Sequence, residues 1–254
     1  MPVVILSHKR AGKVSTVRFV ANTKICVPES QRADYEQYHD AKDIITHPDS
    51  VRGLVAKKQW LIENVQELFM MDDDCIGMYR IYRPMGYTRK AMPTRDKAYD
   101  IIQNTADTAR EIGAFMFGFG SHANPRSYNE FRPLRFGGYT PSGAAGFLKG
   151  SKLWWPKDTT LPMCDYWACL LNAYYHRYAY YDKRFAFGFG ETFVGSGGLA
   201  EFRGSDGETQ ATRYLIKYFG NDVVVPKNTE GLRAYVTKRT MSRSARTIKI
   251  PWRV

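Results

Sequence analysis

The sequence predicts an α/β fold: a single domain on a mainly parallel central sheet flanked by helices. Three observations predict it. Short continuous apolar runs recur early in the chain: "VVILS" (3–7), "KICVP" (24–28), "DIITHP" (43–48) and "ELFMMDDD" (67–74). Such runs read as strands buried on both faces. Helix-like segments separate them, which implies βαβ units and parallel pairing. The 254 residues are 44% hydrophobic and 24% charged, enough to build one sizeable core.

The elements follow in order. Residues 3–7 have no basic region ahead of them, so they read as a first strand and not as a signal peptide. That strand runs into Ser7-His8-Lys9-Arg10. The second strand is ended by Pro28, with Glu29 next. Residues 29–38 read as a helix with its acid early, and 43–48 as a third strand. Residues 50–65, "SVRGLVAKKQWLIENV", read as a helix that Ser50 can cap, with Leu54, Leu61, Ile62 and Val65 as its apolar side. The fourth strand ends in Asp72, Asp73 and Asp74. In parallel sheets, ligands bind outside the carboxyl ends of the strands. The acids, the Ser7–Arg10 loop and Glu29 all belong to that end.

Adjacent carboxylates repel unless something positive lies between them. A divalent cation is the natural occupant. Hard oxygens at a D-x-D spacing suit Mg²⁺ or Mn²⁺, with phosphate oxygens completing the shell. A solvated acidic turn is the plainer alternative.

Residues 3–80 resemble the nucleotide-binding half of the GT-A glycosyltransferases. The resemblance rests on "VPES" after the second strand, on "DSVRGLVAKKQWLIENV" before the metal strand, and on "MMDDD" as the D-x-D motif. It extends the fold class to a GT-A-like, Rossmann-type sheet. It implies Asp72 and Asp74 as the metal-binding acids, with Asp74 the direct ligand of Mn²⁺ or Mg²⁺. Asp73 would lie near the nucleotide ribose or behind the ligands. Glu29 would sit near the base, Lys57 or Lys58 would face the diphosphate or nucleotide, and Ser7, His8, Lys9 and Arg10 would touch the nucleotide of a UDP-sugar. A solvated helix face is the alternative for both lysines.

In the second half, "YTPSGAAGFLKGSKLW" (139–154) carries the strand-like "GFLKGS". "LPMCDYWACLLNAYYHRYAYYDKRFAF" (161–187) opens a helix near Asp165, with Trp167, Leu170, Leu171 and Tyr174 as its apolar stripe. The resemblance places an acidic motif at this helix start. Asp165 can serve as general base for an acceptor hydroxyl, or hold the sugar; alternatively it is only a helix cap. Glu191 competes for the catalytic role, and "GSGG" (195–198) reads as a loop over the site. His176 reads as packing, which leaves Asp206, or water and phosphate, as the third metal ligand.

Net charge is +12, and 14% of the residues are aromatic, 17 of them Tyr. Such a basic chain points to a polyanionic partner. Residues 79–97 interleave Tyr with Arg80, Arg83, Arg89 and Lys90. Residues 122–139 combine Arg126, Arg132 and Arg135 with Tyr128, Phe131 and Phe136. Residues 237–254 are rich in Lys and Arg and lack acids. Cations bind phosphates and rings stack on bases. A solvated hairpin and a disordered arm are the plainer readings of the first and last. Four cysteines without C-x-x-C pairs suit reduced thiols in a cytosolic protein. No apolar stretch is long enough to span a bilayer, so no membrane partner is expected.

Both halves together resemble the phage DNA glycosyltransferases of the TET-associated kind. The resemblance implies transfer from a UDP-sugar to a hydroxymethylated pyrimidine in DNA, in the cytoplasm of an infected host. The domain would comprise a nucleotide-sugar half (1–80), an acceptor half (81–204) and a basic extension (205–254). Rival readings are a GT-A enzyme with a polysaccharide, lipid or protein acceptor, a nucleotidyltransferase, and a non-catalytic DNA-binding protein. "SHKRAGK" has only Gly12 for a phosphate loop, and DNA binding alone gives no reason for three clustered acids.

Overall fold

The computed structural model describes residues 1–82, 88–92, 94–139, 143–160, 163–189, 205–226 and 246–248. The elements in chain order are β1 (Val3–Leu6), β2 (Thr23–Pro28), α1 (Arg32–Glu36), β3 (Ile44–His47), α2 (Gly53–Asn64), β4 (Leu68–Asp72), β5 (Cys75–Arg80), β6 (Lys90–Ala91) and α3 (Arg95–Glu111). Then come β7 (Met116–Gly120), β8 (Leu134–Arg135), β9 (Ala144–Phe147), α4 (Cys164–His176), β10 (Tyr180–Phe189), α5 (Ser205–Phe219), β11 (Val224–Pro226) and β12 (Arg246–Ile248).

The main sheet has the order β3-β2-β1-β4-β9-β7-β10-β5-β6, and β8 also pairs with β10. Strands β3, β2, β1 and β4 are parallel neighbours, as the βαβ pattern requires. Strand β9 is antiparallel to both β4 and β7. Strands β7 and β10 run parallel, and β5 and β8 oppose β10. The sheet is therefore mixed, with most strands pointing one way. Strand β9 fits between its neighbours because Gly146 carries no side chain: a Cβ there would lie 2.0 Å from the Phe117 ring.

Both faces of the sheet are covered, which is why its strands read as unbroken apolar runs. Val4, Leu6, Leu68 and Met70 pack with Val55 and Leu61 of α2, Trp167 and Leu170 of α4, and Ala211 and Leu215 of α5. On the other face Val3, Phe69, Met71 and Phe117 meet Ala98, Ile102, Ala106 and Ala109 of α3. Tyr35 of α1 packs with Ile5, Ile25 and Ile44.

Several expectations shift. Residues 29–38 form a 3-10 turn, Glu29–Gln31, and only then the short α1. Helix α2 starts at Gly53, whose φ of +81° glycine adopts without strain. Arg52 stands at its N-cap, so Ser50 does not cap it. Tyr174 is 72% exposed and leaves the apolar stripe of α4. That helix stops at His176, and 180–189 is strand. Helix α3 and strand β7 were not foreseen. Thr94 caps α3 by accepting from the Lys97 amide, and its buried residues recur at helical spacing. Among the described residues no helix is long and apolar enough to cross a membrane.

Candidate active site

The carboxyl ends of β1, β2 and β4 meet where parallel topology predicts a site. Asp73 is buried there, and both of its oxygens are occupied. Ser7 Oγ donates to Oδ2 at 2.5 Å, and the Arg10 guanidinium donates to Oδ1 at 2.9 Å. Tyr35 Oη lies 2.7 Å from Ser7 Oγ and accepts from the Arg10 amide at 3.0 Å. Burial pushes the Tyr35 phenol up, so it stays a donor. Gln31 completes the support: Oε1 accepts from the Lys9 amide at 2.8 Å, and Nε2 donates to His8 Nδ1 at 3.1 Å. His8 is half-buried, while Lys9 and Glu29 are exposed beside it.

Asp72 and Asp74 are half-buried on either side of Asp73. The turn that carries them is strapped from behind. Thr16 Oγ1 donates to the Asp72 carbonyl at 2.7 Å and accepts from the Cys75 amide at 3.1 Å. The Ser15 amide donates to the Asp73 carbonyl at 2.9 Å. The Cys75 thiol is pushed up to about 12, first by burial and further by Asp74 and Asp72.

Helix α2 does not present its lysines to solvent. Lys57 is 5% exposed and Lys58 1%. Lys57 Nζ donates to the Ser7 carbonyl at 2.6 Å and the Cys26 carbonyl at 3.4 Å, tying the ends of β1 and β2 together. Burial lowers its ammonium to about 8, against the opposing pull of Cys26 and Asp73. Lys58 points elsewhere. The Cys164 thiol is raised to about 11 by burial; Lys58 opposes that rise while Asp165 and Asp72 add to it. A lysine of α2, an acid of β4 and an acid of α4 thus all act electrostatically on one buried thiol.

Asp165 lies in the first turn of α4, and the N-cap is Met163. Asp165 is therefore not the cap. Its Oδ2 accepts from the Tyr139 hydroxyl, and its Oδ1 from the Tyr166 amide at 3.1 Å. The Tyr139 and Tyr166 rings pack with centroids 4.7 Å apart, tilted by 31°. Burial and then Asp165 push the Tyr139 phenol far above its ordinary range, so it remains protonated and donating. The Tyr139 carbonyl in turn accepts from the Arg135 guanidinium, which lies 5.0 Å from the Tyr181 ring.

Two of the basic segments reach β10. Arg80 of β5 stands opposite Phe185, and Arg135 of β8 opposite Tyr181. Arg89 lies over the Tyr79 ring at 4.5 Å, and Lys90 pairs with Arg80 across β5 and β6. Arg126 and Arg132 are exposed. Glu191, Arg83, "GSGG", the Asp206 side chain and most of the basic C-terminal segment lie outside the described residues. His176 Nε2 accepts from the Lys152 amide at 3.0 Å and the ring packs on Phe115 at 4.3 Å. Among the described residues no three His, Cys, Asp or Glu side chains gather as a metal site. The sequence reading missed Tyr139, Tyr35, Ser15 and Thr16, because their partners are distant in the chain.

A groove of about 480 Å³ between α2 and residues 157–160, lined by Arg52, Trp60 and Lys157, shares no residue with this set. No curated protein matches the chain. Among solved structures it is similar to the crystal structure of S. aureus TarS 1-349, with 8% identity and a TM-score of 0.41. That similarity covers 85% of this chain and 66% of the other, so this chain spans just under two thirds of that relative. The family model described as TET-Associated Glycosyltransferase matches residues 1–198, from β1 through β10 and the acids of β4 and α4. By that match the chain belongs to the TET-associated glycosyltransferase family.

Proposed function

We propose that this glycosyltransferase moves a sugar from a UDP-sugar to a hydroxymethylated pyrimidine base in DNA. The observation that carries the reading is the acidic turn at the carboxyl end of β4, where Asp72 and Asp74 flank an Asp73 held by Ser7 and Arg10, together with Asp165 in the first turn of α4 held by Tyr139. Acids at the end of β4 suit a metal-bound donor diphosphate, and a carboxylate at the start of α4 suits an acceptor hydroxyl.

Asp72 and Asp74 would hold Mn²⁺ or Mg²⁺. Two carboxylates fit such an ion, which commonly keeps waters and takes its remaining oxygens from phosphates. When bound, the ion supplies charge that stabilises the leaving nucleoside diphosphate. Lys58, buried on α2, would act on that group from behind the site. His8, Lys9, Arg10 and Glu29 line the nucleotide end, and Ser7, whose hydroxyl is taken by Asp73 and Tyr35, supports them from behind. Asp73 and Lys57 act behind them by fixing the Ser7–Arg10 loop. The acceptor oxygen bonds to the anomeric carbon as the bond from that carbon to the diphosphate breaks. In an inverting reaction the Asp165 carboxylate takes the hydroxyl proton; in a retaining one the leaving phosphate takes it and Asp165 orients the acceptor. Arg80, Arg89, Lys90, Arg126, Arg132 and Arg135 are the described cations that would grip the phosphates of the DNA.

UDP release tests the reading. The protein is incubated with Mn²⁺ and a panel of UDP-sugars, with hydroxymethylated DNA, unmodified DNA or no acceptor. Release stimulated only by hydroxymethylated DNA supports the assignment. Slow release indifferent to DNA would keep the donor and discard the acceptor.

A further inference from the structure

Phe131 is 88% exposed, more than any other large apolar side chain among the described residues. Exposure alone says little, but this ring is displayed by a built turn. Asn129 Oδ1 accepts from the Phe131 amide at 2.9 Å, and the Arg132 amide donates to the Asn129 carbonyl at 3.1 Å. Pro133 follows and fixes the exit of the turn. The turn is fastened to β10: the Lys183 amide donates to the Pro133 carbonyl at 2.9 Å, and Lys183 Nζ to the Arg132 carbonyl at 3.3 Å. Unlike the exposed Tyr174, Phe131 has no polar tip to satisfy in water.

Its surroundings select the partner. Arg126 and Arg132 are exposed on the same segment, and Glu130 is the one acid between 122 and 139. Phe136 is a further half-exposed ring. Cations able to meet phosphates, around an exposed apolar ring, match proteins that push a wedge between base steps. A base within a duplex is closed to chemistry until it leaves the stack. The segment that carries Phe131 ends at Tyr139, whose hydroxyl holds Asp165.

We infer that Phe131 is a wedge that enters duplex DNA and fills the gap left when the acceptor base is turned out toward Asp165. The inference rests on the DNA-acceptor reading above. Wild-type protein, Phe131→Ala and Phe131→Trp are compared on three acceptors: a matched duplex carrying one hydroxymethylated base, the same base opposite an abasic site, and the same strand single. Phe131→Ala should lose about tenfold or more in kcat/KM on the matched duplex. It should approach wild type on the other two acceptors, and Phe131→Trp should stay near wild type throughout. Equal rates for Phe131→Ala and wild type on the matched duplex would overturn the wedge. So would an equal loss on all three acceptors, which would mark a general contact. Wild-type protein inactive on every DNA would instead overturn the acceptor reading, and the wedge with it.

Discussion

At the scale of single residues, the Asp165–Tyr139 pair gives a sharp expectation. A hydrogen bond to a charged group contributes about 1.5–3 kcal/mol. Tyr139→Phe should therefore lower kcat for transfer by roughly tenfold or more, while UDP-sugar affinity, read by titration, stays unchanged. An equal weakening of donor binding would place Tyr139 in the donor site. Lys57 gives a pH expectation. Its folded pKa of about 8 lies below its ordinary 10.5, so between those values the unfolded chain binds more protons. Stability attributable to Lys57 should then rise with pH across that window, by roughly 3 kcal/mol at most. The difference in urea midpoint between wild type and Lys57→Met, followed from pH 7 to 10, reads it; a flat difference would show that the lysine is not desolvated. The acids of this site were legible because a charge triplet after an apolar run has few explanations. The work of Lys57 was not, since two adjacent lysines on a helix look in sequence like a wet surface.

At the scale of elements, β9 depends on one missing side chain. Gly146→Ala would drive a methyl into Phe117, and overpacking of this kind costs about 1–3 kcal/mol. A lowered Tm that Phe117→Leu partly restores would support the account; an unchanged Tm would contradict it. The four parallel strands were legible from their apolar runs. Strand β9 could not be placed by sequence, because which strand it enters between is a matter of long-range pairing. Helix α3 was within reach, as Thr94 and the spacing of Ala98, Ile102, Ala106 and Ala109 carry its signal. Its basic start continued the Arg-rich stretch before it and drew attention from the periodicity.

At the scale of the whole molecule, the sheet divides the chemistry. The β1–β4 side holds the acids and buried lysines, and the β10 side collects arginines and open aromatic rings. If those arginines meet phosphates, DNA affinity should fall linearly in log–log terms with salt. Replacing Arg126 and Arg132 with Gln should lessen the slope by about two, near 0.9 for each phosphate no longer neutralised. Fluorescence anisotropy over a salt series measures it, and an unchanged slope would remove that face from the interface. The net charge of +12 announced a polyanion in the sequence. It did not show that segments far apart in the chain converge on one strand.

The most direct test of the central claim is the mass of the modified nucleoside. Hydroxymethylated DNA is incubated with the protein, Mn²⁺ and the UDP-sugar that releases UDP, then digested and weighed by mass spectrometry. The account predicts a sugar increment on the hydroxymethylated nucleoside alone, lost in Asp74→Asn. An increment that survives Asp74→Asn would contradict the assigned metal-binding acid, and no increment on any nucleoside would contradict DNA as the acceptor.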